Sequence, residues 1–338
     1  MIAAVIQMEC DDTGDASKNR QTFSRLVQEA VSDSKRLSQV GDILVLGPEL
    51  ALSGYSYEPH VLWEMGEPQG GPTESFLCDL AREHQCYVGV SYIEVREMTD
   101  TAGSSGHFLN TFALAGPNGT IQGRVSKATP CSVEAYFFRG PTSPCHVIEC
   151  ENGLHVGVLI CYENFCYDPV RELQEKRIDV LFQPFSGALA DNNTGAVREA
   201  LQEMYQTVCP NNARLLRCPA LYANKIGLFQ QPCPSTIVPM KFDSNYPGGS
   251  MICDATGTIL AEMDATTEGV TCAYIPSSQP KVGPIFDTEI QLERYWGGYS
   301  HPAPWLKVCL LLEWLGARSY GKSAIREQMA RSALEKHQ

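Results

Sequence analysis

The chain has 338 residues, of which 43% are hydrophobic and 19% charged. This is ordinary globular composition, enough for one large α/β domain or two smaller ones. The formal net charge of −13 excludes a nucleic-acid or anionic-membrane surface, since both need clustered Lys and Arg.

The opening "MIAAVIQMEC" has neither the basic segment nor the cleavage site of a signal peptide. It reads as a strand over Ile2–Met8. Phe23, Leu26, Val27, Ala30 and Val31 follow at helical spacing. "DILVLGPEL" is a continuous apolar strand expected to end at Glu49. "TESFLCDLAREH" predicts a helix and "CYVGVSYIEV" a strand. "FLNTFALAGPNGTIQGRVSK" predicts a hairpin turning at Pro117-Asn118-Gly119, its second strand ending at Lys127. "LHVGVLIC" and "IDVLFQPF" are strands flanking a helix near Asp168–Lys176. "TGAVREALQEMYQTVC" is helical, with Val197, Leu201, Met204, Tyr205 and Val208 on one face. "GGSMICDATGTILAEM" predicts a second hairpin, turning at Asp254–Gly257, and the tail after Trp305 reads as helix. The late apolar run "WLKVCLLLEWLG" is too short to cross a bilayer. These elements predict one α/β domain with a mixed sheet.

The 14 cysteines, on a long chain without an export signal, are expected as the reduced thiols of a cytoplasmic protein. No CxxC occurs, and neither the Cys145/Cys150 nor the Cys161/Cys166 pair has zinc-finger spacing, so no structural metal is expected. "GARSYGKS", residues 316–323, satisfies the phosphate-loop pattern. The chain beyond it is too short for the further strands such a fold needs, so it reads as two tail helices broken at Gly316. There is no G-x-S-x-G elbow and no G-x-G-x-x-G after the first strand.

Three reactive side chains sit where apolar strands end: Glu49, Lys127 and Cys161. Singly, each has an ordinary reading as a surface carboxylate, a solvated lysine or an inert core thiol. Together they meet the needs of acyl transfer. A thiol requires a base, a carboxylate in a dry pocket can serve, and a tetrahedral intermediate needs a positive charge or N–H beside its oxygen.

These residues stand in segments that resemble the nitrilase, or carbon–nitrogen hydrolase, superfamily. "LGPELALSGY" (46–55) is similar to its Glu motif, "GRVSK" (123–127) to its Lys motif and "GVLICYENF" (157–165) to its Cys motif. "EAYFFRGP" (134–141), "DVLFQPFSGA" (179–188) and "GGSMICDATGTILAE" (248–262) follow in the same order. The resemblance implies a four-layer α-β-β-α sandwich over residues 1–280. Residues 281–338 then form a helical extension, an arm for a homodimer or higher homo-oligomer.

It further implies Cys161 as nucleophile, Glu49 as general base, Lys127 as oxyanion stabiliser and Glu134 as the group that orients Lys127 or the substrate. The Tyr162 backbone amide is the implied second oxyanion donor. No cofactor is implied. The substrate would be a small amide or carbamoyl compound with water, cleaved through a thioester. A nitrile is the alternative, and a non-catalytic binding relative is the reading from another class. Glu163 is expected to have a local structural role. Tyr55, Tyr136, Phe137, Tyr162, Phe165 and Phe185 are the candidate pocket aromatics. Gly47 before Pro-Glu, where the family commonly has an aromatic, and the stretch "KATPCSVEAYFF" depart from the family pattern.

Overall fold

The computed structural model describes residues 1–37, 41–100, 103–190, 195–235, 241–276 and 303–336. The single mixed sheet expected from hydrophobic patterning is in fact two sheets stacked face to face, because central strands such as Ile2–Glu9, Ile43–Leu46, Val180–Pro184 and Ala220–Ala223 are buried on both sides. β1 (Ile2–Glu9) shows how. Ile2, Ala4, Ile6 and Met8 enter one core while the alternate Ala3 and Val5 enter another.

The first sheet runs β5 (Ile121–Ser126), β4 (Gly103–Ala115), β3 (Tyr87–Asp100), β2 (Ile43–Leu46), β1, β11 (Lys225–Pro232), β12 (Lys241–Pro247) and β9 (Leu189–Ala190). β15 (Gly269–Tyr274) also pairs with β1. The second sheet runs β14 (Ile259–Glu262), β13 (Met251–Cys253), β10 (Ala220–Ala223), β8 (Val180–Pro184), β7 (His155–Val158) and β6 (Val147–Glu149).

Between the sheets lie Leu44, Leu46, Phe112, Val156, Val158, Val180 and Phe182. α1 (Ala16–Arg36) and α3 (Pro72–His84) cover the first sheet, burying Phe23, Leu26, Val27, Leu77 and Leu80. α4 (Tyr167–Lys176) and α5 (Gly195–Leu216) cover the second with Val170, Leu173, Met204 and Val208. The result is the α-β-β-α sandwich. Both predicted hairpins form, turning at Gly116–Thr120 and Asp254–Thr258. All 14 cysteines are free thiols, and no helix among the described residues is long and apolar enough to cross a membrane.

Two expectations are corrected. β2 stops at Leu46, so Glu49 stands beyond the strand rather than at its last residue. The "LGPEL" run hid this boundary because Pro48 and Glu49 are as buried as the strand itself. The tail does not break at Gly316. α6 (Ala303–Lys322) passes through it, and the chain turns at Ser323, whose side chain caps α7 (Ala324–Glu335) by accepting from the Arg326 N–H. The phosphate-loop pattern is therefore mostly helix.

Gly316 serves packing instead. A Cβ there would lie 2.8 Å from backbone and ring atoms of Ala135 and Tyr136, so α6 rides directly on the 3₁₀ turn Ser132–Tyr136. The Ser132 N–H donates to Glu313 of α6 at 3.0 Å, and the Phe108 N–H donates to the Tyr320 hydroxyl at 2.9 Å. α7 packs on β3, β4 and α2 (Pro59–Glu64). The expected boundary at 280/281 lies outside the described residues.

Gly316→Val forces α6 off the 3₁₀ turn and is expected to cost about 1–3 kcal/mol of stability, the usual penalty of overpacking. An unfolding free energy from urea titration lowered by that amount checks it; an unchanged value shows that α6 is not held there.

Candidate active site

Three short segments, each leaving a regular element, converge at one edge of the sandwich. The first leaves β2 through Gly47-Pro48 to Glu49, whose N–H donates to the Phe185 carbonyl at 3.1 Å. The Ser186 hydroxyl donates to the Glu49 carbonyl at 2.8 Å. The second leaves β5 at Lys127 and continues into the turn carrying Glu134. The third leaves β7 and reaches Cys161 at the head of the 3₁₀ turn Cys161–Phe165.

Each segment holds a non-glycine residue in left-handed backbone: Leu50 at φ 47°, Ser132 at φ 51° and Cys161 at φ 50°. Such conformations cost about 1–3 kcal/mol each and persist where surrounding bonds over-determine them. The Leu50 N–H is held by Ser91 Oγ at 2.7 Å. The Cys161 turn is held by Glu163. Its carboxylate accepts from the Ile160 N–H at 3.1 Å and from the Ala128 N–H at 2.6 Å, and contacts His146 Nε2 at 3.3 Å. Fully buried, Glu163 ties the cysteine turn to the residue after Lys127. That is the local structural role expected of it.

Glu49, Lys127 and Glu134 form one buried cluster, none more than 4% exposed. Lys127 Nζ donates to Glu49 Oε1 at 2.8 Å and lies 2.8 and 2.7 Å from the two oxygens of Glu134. Asn110 Nδ2 also donates to Glu49 Oε1, at 2.7 Å. Glu134 takes a further bond from the Tyr55 hydroxyl and one from the Cys131 N–H at 2.6 Å. Burial alone would lower the Lys127 pKa, but the carboxylates of Glu134 and Glu49 outweigh it and hold the ammonium well above the usual lysine range. Burial raises Glu134 above the ordinary carboxylate range despite Lys127.

The other oxygen of Glu49, Oε2, is buried and has no hydrogen-bond partner among the described residues. Glu49, Glu134 and Cys161 face one cavity of about 170 Å³. Burial pushes the Cys161 thiol well above its usual range and the Glu49 charge adds to this, while Lys127 and the Ser186 N–H pull the other way. The resting sulfur is thus held as a thiol in a cavity shared with the Glu49 carboxylate, an arrangement suited to proton transfer during nucleophilic attack.

Of the predicted aromatics, Tyr55, Tyr162, Phe165 and Phe185 face this cavity. Tyr136 and Phe137 do not. Tyr136 lies under Gly316 of α6, and Phe137 packs behind Tyr57 at a ring separation of 5.6 Å. Their position beside Glu134 in sequence suggested otherwise, but the 3₁₀ turn sends them into the core. Residues that sequence reasoning passed over also face the cavity: Tyr57, Cys131, Tyr205 of α5 and Cys309 of α6. Tyr57 follows Tyr55 at the spacing that keeps both on one side of an extended segment, a signal that was present; Cys309 carried none. Asn110, which shares Glu49 with Lys127, could be known only from the pairing of β4 with β5.

The chain matches the carbon-nitrogen hydrolase family over residues 2–280 and belongs to it. It is 30% identical over 171 residues to a nitrilase of Pyrococcus abyssi, an alignment covering 49% of this chain and 58% of that protein. It is 25% identical over 324 residues to an N-carbamoylputrescine amidase of Solanum lycopersicum, covering 92% of this chain and 95% of that one. Among solved structures, a carbon-nitrogen hydrolase of Helicobacter pylori G27 superposes with a TM-score of 0.67 at 18% identity, covering 92% of this chain and 98% of that one.

Two titrations follow from the electrostatics. Alkylation of Cys161 by iodoacetamide should climb with pH without levelling below pH 9, because burial and Glu49 disfavour the thiolate. Glu49→Gln removes a neighbouring negative charge and should move that profile to lower pH. A wild-type plateau near neutrality, or an unmoved profile in the variant, would contradict this geometry.

Proposed function

We propose that this carbon–nitrogen hydrolase is a thiol-dependent amidohydrolase of small, non-peptide amides or carbamoyl compounds. The observation that supports it most is Glu49, which lines the same cavity as Cys161, has no partner for Oε2 among the described residues and is anchored through its other oxygen by Lys127 and Asn110.

The steps follow from the donors present. Cys161 Sγ attacks the carbonyl carbon as its proton passes to Glu49 Oε2. The carbonyl oxygen gains the charge, stabilised by the Lys127 ammonium and the Tyr162 backbone N–H. Lys127 can serve while still clamped, since one of its three protons can be shared between the two Glu134 oxygens. Collapse breaks the C–N bond, and the amine leaves with the proton held on Glu49. Water then attacks the thioester, giving its proton to Glu49. The second collapse releases the acid and returns the proton to the sulfur. Glu134 keeps Lys127 in place, with Tyr55 bonded behind it.

The second reading, a nitrilase in which the same thiol adds to a nitrile to form a thioimidate, has support from the 30% identity to the Pyrococcus protein of that name. The amide reading is preferred because relatives named as N-carbamoylputrescine amidases align over far more of the chain.

We also propose that the C-terminal extension helps join copies of the chain in the cytoplasm. α6 carries Leu310, Leu311 and Trp314 about half exposed on its outer side. Sedimentation should give at least a dimer that Trp314→Glu weakens; a monomer of 37.2 kDa would refute this.

Ammonia release from amides, N-carbamoyl amines and nitriles tests the assignment. Amides or carbamoyl compounds should turn over, and Cys161→Ala should lower kcat by at least about 1,000-fold with an unchanged unfolding midpoint. Turnover retained in that variant, or hydrolysis of nitriles alone, would reject the amide reading.

A further inference from the structure

The cavity around Cys161 carries a second message, about the charge and size of what it accepts. Its walls include Phe165, Phe185, Leu201, Met204 and Phe229, with hydroxyls of Tyr57, Tyr162, Ser186 and Ser244 among them. Among the described residues that line it there is no Arg or His; the Lys127 ammonium beneath it is taken up by two carboxylates and the carbonyl oxygen, and the only carboxylates are Glu49 and Glu134. Both are committed. The Glu134 oxygens are taken by Lys127, Tyr55 and the Cys131 N–H. Glu49 Oε1 is taken by Lys127 and Asn110, and its Oε2 must stay open for the proton of the thiol. An ammonium or carboxylate on the substrate would therefore be stripped of water and find hydroxyls but no opposite charge free to pair with it. An ammonium that instead paired with Glu49 Oε2 would block the base.

Size is set by the same walls. The cavity volume is about 170 Å³. An apolar cavity of about 150 Å³ holds a benzene molecule, so this one seats about seven non-hydrogen atoms. Three of these are the carbon, oxygen and nitrogen of the amide, which leaves room for about four carbons. Leu201 and Met204 of α5, 6% and 5% exposed, belong to the walls around that remainder.

We propose that the substrate is an uncharged amide or urea whose variable group is a short apolar chain of about four carbons, and that Leu201 limits its length. This rests on the amidohydrolase reading given above. It separates the chain from any homologue whose substrate bears a terminal ammonium.

Matched compounds test it on the intact protein. Pentanamide is compared with 4-aminobutanamide and succinamate, which have nearly the same length but carry a positive or a negative end. Butylurea is compared with N-carbamoylputrescine in the same way. Each neutral compound should exceed its charged counterparts in kcat/KM by at least about 100-fold, since a buried, unpaired charge costs several kcal/mol. Leu201→Ala should raise the heptanamide-to-pentanamide ratio of kcat/KM about tenfold or more, as expected for added methylenes in an enlarged apolar pocket.

A charged compound turned over as well as its neutral partner would overturn this inference and leave the amidohydrolase standing. An unchanged ratio in Leu201→Ala would overturn the role of that wall. No hydrolysis of any of the five compounds would overturn both the inference and the reading beneath it.

Discussion

The active site depends on one ammonium, Lys127, held between two carboxylates where water does not reach. An ammonium and two carboxyl groups in such a place are costly to desolvate, and their attraction repays this only when the geometry leaves few of their polar atoms unmatched. Here the matching is nearly complete. Glu134 is saturated by Lys127, Tyr55 and the Cys131 N–H, and one side of Glu49 by Lys127 and Asn110. Among the described residues, what remains without a partner is the Asn110 amide oxygen and one carboxylate oxygen, Oε2 of Glu49, the residue that shares a cavity with the thiol. The rest of the cluster keeps that oxygen in place and keeps other donors from it.

The fold contributes rigidity at three points. Leu50, Ser132 and Cys161 take left-handed backbone that non-glycine residues ordinarily avoid, and each belongs to a segment delivering a site residue. None stands alone. Ser91 holds Leu50, Glu313 of α6 holds Ser132, and Glu163 holds the turn of Cys161. Glu163 also reaches the Ala128 N–H, so the nucleophile and Lys127 share one brace. The C-terminal helices are thus part of the site. α6 supplies Cys309 to the cavity and steadies the turn of Glu134 from behind.

Local chemistry was legible in the sequence where it lies next to a strong hydrophobic pattern. Cys161 stands three residues beyond β7, Lys127 directly follows β5, and Glu49 stands only three residues beyond β2. Ordered resemblance over six segments carried these into one site, which spacing alone could not do. The number of sheets was not legible in the hydrophobic patterning, because strands apolar on both faces look the same in one sheet or two; it came from the resemblance, which implied the α-β-β-α sandwich. Nor were Asn110 and Cys309, which reach the site by strand pairing and by a return of the chain from its far end. Tyr136 and Phe137 misled for a related reason. Adjacency to Glu134 in sequence says nothing about which way a 3₁₀ turn sends its neighbours. Gly316 was legible as a glycine but not as a contact, since its partner, the turn at Ala135, is remote in the chain.

The central claim is that thiol, base and ammonium act on one carbonyl group in one dry cleft. A crystal structure of Cys161→Ala soaked with pentanamide tests it most directly. The account predicts the amide oxygen within hydrogen-bond reach of Lys127 Nζ and the Tyr162 N–H. The carbonyl carbon should lie over the vacated sulfur position, with the chain among Leu201, Met204 and Phe185. An amide bound with its oxygen turned away from Lys127, or seated outside the cavity that Glu49 faces, would contradict it.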